Sequence, residues 1–129
     1  MRLAANKKHW PNESLSLLLK EDFENGFSRW QTTDPKDAKP VWKIVEVEPK
    51  GNHALRVTGP SKYKPPFTSP LSIALLKDVK VSDFELTAHV QQTRFNAGAH
   101  RDLCFFWGYQ DPSHYLFLLA DTRFLTGPG

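Results

Sequence analysis

The sequence predicts an all-β fold, an antiparallel β-sandwich, and three observations support this prediction. Over residues 84–91, apolar side chains alternate with polar ones, and a period of two places one face of a strand in a core. Residues 103–109 are apolar and rich in aromatic side chains, as expected of a strand covered on both faces. Short apolar runs separated by Gly, Pro and Asn recur along the chain, and none has the period of a helix.

The elements can be placed in order along the chain. Residues 1–14 lack periodicity and are expected to form a flexible arm, followed by a single domain over residues 15–129. Turns are expected at Asn25-Gly26, at Gly51-Asn52 and around Pro112, where the residue types suit tight turns or stop a strand. Residues 103–109 and 115–120 should pair as a hairpin around the last turn. The predicted strands cover residues 15–23, 41–47, 54–58, 71–76, 84–91, 103–109 and 115–120.

Composition excludes several classes of protein. The chain has 129 residues, 40% hydrophobic and 24% charged, which are typical values for one soluble globular domain. Its net charge is +3, but Lys and Arg are scattered among Asp and Glu, so no nucleic-acid partner is predicted. No apolar stretch approaches the roughly twenty residues of a membrane helix, so no membrane partner is predicted either. Cys104 is the single cysteine, which excludes an internal disulfide; we expect a buried, inert thiol.

Several segments resemble a known superfamily. Residues 19–26, with Trp30 and Trp42 behind them, resemble the opening of a concanavalin A-like lectin/glucanase jelly roll. Residues 51–59 resemble the second hairpin of that superfamily. Residues 83–86 and 106–115 are similar to bacterial members related to 3-keto-glycoside hydrolase-type domains. The match extends over residues 17–115, and it is a pattern of core positions rather than of catalytic ones.

The resemblance also has implications for whether the fold is complete and for where the protein is located in the cell. Such jelly rolls have more strands than are predicted here, so the resemblance implies that the C-terminal strands are missing. An open sheet edge and an uncovered apolar face would then invite self-association. The resemblance also implies a secreted or periplasmic protein, although no signal peptide is visible in the residues.

Two groups of carboxylates have spacings that resemble those of catalytic or metal-binding residues. Glu46 and Glu48 alternate along a strand, as the paired carboxylates of jelly-roll glucanases do, but they stand alone near the strand end and are expected to be solvated. Glu21, Asp22 and Glu24 precede a turn and could supply oxygen ligands to calcium, although a capped, solvated turn is favoured. No catalytic residue, metal site or cofactor is therefore predicted.

Five residues form the predicted ligand site. His89 and Gln91 share the polar face of one strand, and Arg101, Trp107 and Tyr109 are expected on its neighbour. An aromatic platform with imidazole, amide and guanidinium donors suits a sugar ring, which has apolar C–H faces and hydroxyls. Core packing is the competing interpretation of the aromatic residues.

These features give three functional hypotheses. We expect a non-catalytic, carbohydrate-binding module. The first alternative is the N-terminal portion of an enzyme related to glycoside hydrolases or lyases. The second is an interaction domain that has no small ligand.

Overall fold

The described part of the chain is entirely β. The structure, a computed structural model, describes residues 1–5, 16–66, 70–94, 96 and 103–120. Every strand pair in these ranges is antiparallel, and the ranges contain no helix. This architecture is consistent with the predicted β-sandwich, although the sheets are small and unclosed. The strands are Arg2–Ala5 (β1), Ser16–Lys20 (β2), Trp30–Thr32 (β3), Trp42–Val47 (β4), Asn52–Val57 (β5), Ala74–Leu76 (β6), Phe84–Thr87 (β7), Leu103–Asp111 (β8) and His114–Ala120 (β9).

The chain divides into two compact units. The first comprises residues 1–64 and 70–89, and the second comprises residues 65–69 and 90–129. The first unit holds a three-stranded sheet of order β2-β1-β7 and the two-stranded sheets β3-β6 and β4-β5. The second unit holds the hairpin β8-β9. Within the described ranges, no helix has the length and apolar character needed to span a membrane.

The N-terminal residues do not follow the prediction of a flexible arm. β1 is the central strand of the first unit's largest sheet and pairs with both β2 and β7. Leu3 and Ala5 are buried, as is Leu19 across the pair from Leu3. A strand of four residues is too short for its period to be recognised in the sequence, and its stability comes from two neighbours that are distant along the chain. The rest of the predicted arm, residues 6–14, lies outside the described residues.

β7 confirms the alternation expected of its sequence. Phe84 and Leu86 are half-buried and face Ala5 and Leu3 of β1, whereas Glu85 and Thr87 are exposed. The strand ends at Thr87, however, and the predicted strand continued to residue 91. Val90, expected in the core, is 39% exposed.

Loop residues join the two small sheets of the first unit. Thr33 and Ile73 extend the pairing of β3 with β6, since Ile73 O accepts from Thr33 N at 3.0 Å and Thr33 Oγ1 accepts from Ile73 N at 3.0 Å. Ile73 is the most deeply buried large side chain described, with 2% exposure. Asp34 Oδ2 accepts from the backbone N–H groups of Val41 and Trp42 at 3.0 and 3.1 Å, which fixes the start of β4.

Candidate functional site

The hairpin β8-β9 carries the aromatic residues of the predicted site. Its strands pair regularly from Leu103 opposite Ala120 to Trp107 opposite Leu116, which confirms the predicted hairpin. The register then shifts before Asp111 meets His114. Gly108 lies in this irregular stretch with a φ of 63°, a conformation that glycine adopts without the strain of a side chain. The strand therefore contains a bulge directly after Trp107.

This bulge separates the two predicted platform residues. The ring of Tyr109 lies 5.8 Å from that of Phe106, and Phe106 directly precedes Trp107 in the regular part of the strand. Neighbouring residues of a strand point to opposite faces, so Tyr109 lies on the face of Phe106 and not on that of Trp107. A glycine inside an apolar strand signals a bulge, and Gly108 could have indicated this arrangement.

Tyr109 belongs to a cluster of aromatic rings on its face of the hairpin. It stacks on Tyr115 with ring centroids 6.1 Å apart, and both rings contact Phe106 at 5.8 and 5.7 Å. Phe117 extends the cluster, 6.1 Å from Tyr115. Offset and edge contacts of this kind stabilise a sheet face, so the position of Tyr109 agrees with the packing interpretation of this residue.

Trp107 lies on the opposite, more open face. Its side chain is 40% exposed, and its cross-strand neighbour Leu116 is 61% exposed. Leu118, paired with Phe105 on the same face, is also 61% exposed. The sequence predicted a strand covered on both faces, and in the described part of the chain this face is uncovered. Contiguous exposed apolar side chains are typical of interaction sites.

A polar turn closes the hairpin beside this apolar face. Asp111 Oδ1 accepts from the backbone N–H of Ser113 at 2.8 Å and from its hydroxyl at 2.7 Å. His114 Nδ1 lies 2.8 Å from both carboxylate oxygens. The hydrogen bonds from the hydroxyl and backbone of Ser113, together with that from His114, lower the pKa of Asp111 to about 2. The three residues form a turn whose side chains reach solvent, and they were not among the residues of the predicted site.

The other three residues of the predicted site are His89, Gln91 and Arg101. His89 and Gln91 are both exposed and follow the end of β7. His89 belongs to the first unit, whereas Gln91 belongs to the second unit, as Trp107 and Tyr109 do. Arg101 lies outside the described residues. Only Trp107 and Tyr109 are therefore on one described element, and they occupy its two faces.

Glu46 and Glu24, which belong to these two groups of carboxylates, stabilise local structure. Glu46 Oε1 accepts from the N–H of Gly51 at 2.9 Å and so stabilises the turn between β4 and β5. Glu24 Oε1 lies 2.7 Å from His53 Nδ1. Among the residues that the structure describes, no group of three or more His, Cys, Asp or Glu side chains is arranged to hold a metal ion.

Glu21 is a buried carboxylate with two donors. It is 7% exposed, its Oε1 accepts from the N–H of Phe23 at 2.8 Å, and its Oε2 accepts from Trp30 Nε1 at 3.1 Å. Both oxygens thus stabilise the turn between β2 and β3. This arrangement agrees with the capped turn expected for the acidic cluster, but the burial of Glu21 contradicts the expectation that its carboxylate is solvated.

A second candidate surface lies on the solvent face of the β2-β1-β7 sheet. Arg2 lies between Lys20 on β2 and Thr87 on β7, so these three side chains form a row across the sheet. In the next row Ala4 is opposite Glu85. A cavity of about 300 Å³ is lined by Arg2, Ala4, Glu85 and Thr87, and its volume is at the lower end of the range for small-molecule sites.

Comparisons of the chain with protein-family models, with curated proteins and with solved structures each found no match. Its function is consequently inferred from the hairpin and the sheet face alone.

Proposed function

We propose that this chain is a non-catalytic carbohydrate-binding module, a β-sandwich of the concanavalin A-like jelly-roll type, in which Trp107 contacts the sugar. The observation that supports this proposal is the 40% exposure of Trp107 on an apolar face of the hairpin. An indole ring on a strand presents a flat apolar surface, which complements the C–H face of a pyranose ring. In this proposal Trp107 forms the aromatic platform for the sugar without Tyr109.

The surroundings of Trp107 suit a ligand that is apolar on one side and polar at its edge. Leu116 and Leu118, each 61% exposed, extend the apolar surface beside the indole. The turn at the end of the hairpin adds the hydroxyl of Ser113 and the imidazole of His114, whose side chain is 67% exposed. Ligand sites commonly combine an apolar lining with a few polar groups that fix orientation.

The other two described tryptophans are poorer candidates. Trp30 donates its Nε1–H to the buried carboxylate of Glu21 and packs against Phe23 with ring centroids 5.9 Å apart. The Nε1 atom of Trp42 is buried. Trp30 and Trp42 are thus partly buried in the first unit, whereas Trp107 in the second unit is 40% exposed.

Binding to a broad panel of polysaccharides tests the proposal. The chain and its Trp107→Ala variant are compared by affinity electrophoresis in gels containing soluble glucans, mannans, xylans and galactans. We expect retardation by at least one polysaccharide, and Trp107→Ala should weaken it about tenfold or more, a change of about 1.4 kcal/mol. Phe117→Ala is the matched control, because it removes a 60% exposed aromatic side chain from the opposite face of the same hairpin.

Two measurements make the comparison interpretable. Circular dichroism shows whether each variant keeps its β structure. Sedimentation velocity shows whether the chain self-associates, as expected from its exposed apolar hairpin, since a second copy could cover Trp107. Absence of binding across the panel by a folded, monomeric chain would contradict the proposal. Equal retardation of Trp107→Ala and the unmodified chain would contradict the role of the indole.

A further inference from the structure

The sheet face of the first unit places two positive charges side by side. Arg2 and Lys20 are directly opposite each other on β1 and β2, and both are exposed. Like charges in this cross-strand position repel each other and destabilise a sheet. Neither side chain forms an ion pair within the described part of the chain. An anionic group bound over this row would relieve the repulsion.

The other residues of the face determine which anion fits. Thr87, on the far side of Arg2, adds a hydroxyl to the same row. Glu85 lies diagonally across from Arg2, and both residues line the cavity of about 300 Å³. Its carboxylate only accepts hydrogen bonds when ionised, so the ligand must offer donors there. A densely charged chain without hydroxyls would instead be repelled by Glu85.

We propose that the solvent face of Lys20, Arg2, Thr87 and Glu85 binds acidic sugars, with their carboxylate or sulfate on the cations and their hydroxyls on Glu85. This inference rests on the proposed carbohydrate-binding function and adds a second binding surface, whose ligand class is an acidic polysaccharide. A guanidinium donates in a planar fork that matches carboxylate or sulfate oxygens, and Lys20 adds a second positive charge. Sugar hydroxyls supply the donors that Glu85 requires.

The repulsion from Glu85 favours acidic sugars over nucleic acid. A nucleic acid presents phosphates at close, regular spacing and is bound by stripes of cations. Here a carboxylate lies beside the cations, and its partner must carry neutral donors next to its anionic group. Hydroxylated acidic polymers meet both requirements.

Five polymers and two matched double variants test the inference. Dissociation constants of the full chain are measured by biolayer interferometry for polygalacturonate, dextran sulfate, unmodified dextran, polyglutamate and a DNA duplex. The first two polymers distinguish a carboxylate from a sulfate as the bound group. Arg2→Gln with Lys20→Gln removes the cationic pair. Lys36→Gln with Lys39→Gln removes the same charge from two exposed loop positions and serves as the control.

We expect one of the two acidic polysaccharides to bind more tightly than dextran, polyglutamate and DNA. Each substitution in the cationic pair should weaken that binding by up to about fivefold, the range for an exposed ion pair. The control variant should bind the acidic polysaccharide as tightly as the unmodified chain does. Binding of neutral glycans should be unchanged in both double variants. Glu85→Gln should strengthen binding of polyglutamate, since it removes the repelling charge.

The outcomes that would contradict this inference differ from those that would contradict the proposed function. Equal losses in the two double variants, or tighter binding of polyglutamate or DNA than of either acidic polysaccharide, would overturn the assignment of the sheet face. Trp107-dependent binding of neutral glycans would persist in that case. Failure of the proposed function would instead appear as glycan binding that is absent or insensitive to Trp107→Ala.

Discussion

Replacing Glu21 with alanine should destabilise the first unit more than any exposed carboxylate substitution. Its two oxygens accept from Phe23 N and Trp30 Nε1, and the side chain is 7% exposed. A hydrogen bond to a charged group contributes about 1.5–3 kcal/mol. Losing both therefore costs about 3–6 kcal/mol, and we expect the lower end because the donors are only partly buried. The total free energy of unfolding of a domain of this size is about 5–15 kcal/mol, so the loss is readily measured.

The conformation of Phe23 adds to this expectation. Its φ is 63°, an unusual value for a bulky residue. The hydrogen bond from its N–H to Glu21 holds this conformation, and its ring packs on Trp30 with centroids 5.9 Å apart. Glu21→Gln keeps an oxygen for Phe23 N but can turn an amide N–H toward the Trp30 donor. Glu21→Gln should therefore lose one of the two hydrogen bonds, and it should lower the free energy of unfolding by about half as much as Glu21→Ala does.

Urea unfolding followed by tryptophan fluorescence measures these losses. The midpoint should fall while the m-value stays constant, as for a change in stability alone. Glu46→Ala is the matched control, because Glu46 is exposed and accepts one hydrogen bond, from Gly51 N. We expect that control to change stability by less than about 1 kcal/mol. A Glu21→Ala variant no less stable than Glu46→Ala would refute the reasoning.

Three further changes test other parts of the fold. Leu3→Ala should destabilise the first unit by about 2–4 kcal/mol in urea because it empties a core position of β1. Leu17→Ala, at a 49% exposed site, should have little effect, and equal losses would contradict the central position of β1. Gly108→Ala should weaken the hairpin by about 1–2 kcal/mol, because its φ of 63° strains a side chain; unchanged amide exchange in β8 and β9 would contradict the bulge. The pKa of Asp111 is lowered from 3.8 to about 2, so its carboxyl stabilises the turn above pH 3.8 and loses this effect as the pH falls through about 2. An NMR titration of the carboxyl with a midpoint near 3.8 would exclude the hydrogen bonds of the turn.

Local sequence patterns predicted the strands that pair with close neighbours. β4 with β5, and β8 with β9, are hairpins whose apolar periods and turn residues lie within one short segment. The alternation over Phe84, Glu85, Leu86 and Thr87 likewise matches the burial of β7. In each case the information needed is contained in a few adjacent residues.

The other strands and the arrangement of the candidate sites depend on contacts that no local sequence pattern contains. β1 and β3 have four and three residues, too few for a period, and they exist as strands because distant segments pair with them. The row of Lys20, Arg2 and Thr87 appears only when three separate segments are aligned in register. The separation of Trp107 from Tyr109 depends on a bulge at Gly108, which a strict two-residue period does not include.

The most direct test of the glycan-binding proposal is the indole N–H resonance of Trp107 during titration with an oligosaccharide derived from the bound polysaccharide. Trp107→Phe assigns the resonance by removing it from the spectrum. Trp107 should show the largest shift among the indole signals, while those of Trp30 and Trp42 stay in place, because these rings are engaged in the first unit. Saturable binding that leaves the Trp107 signal unmoved would contradict the proposal.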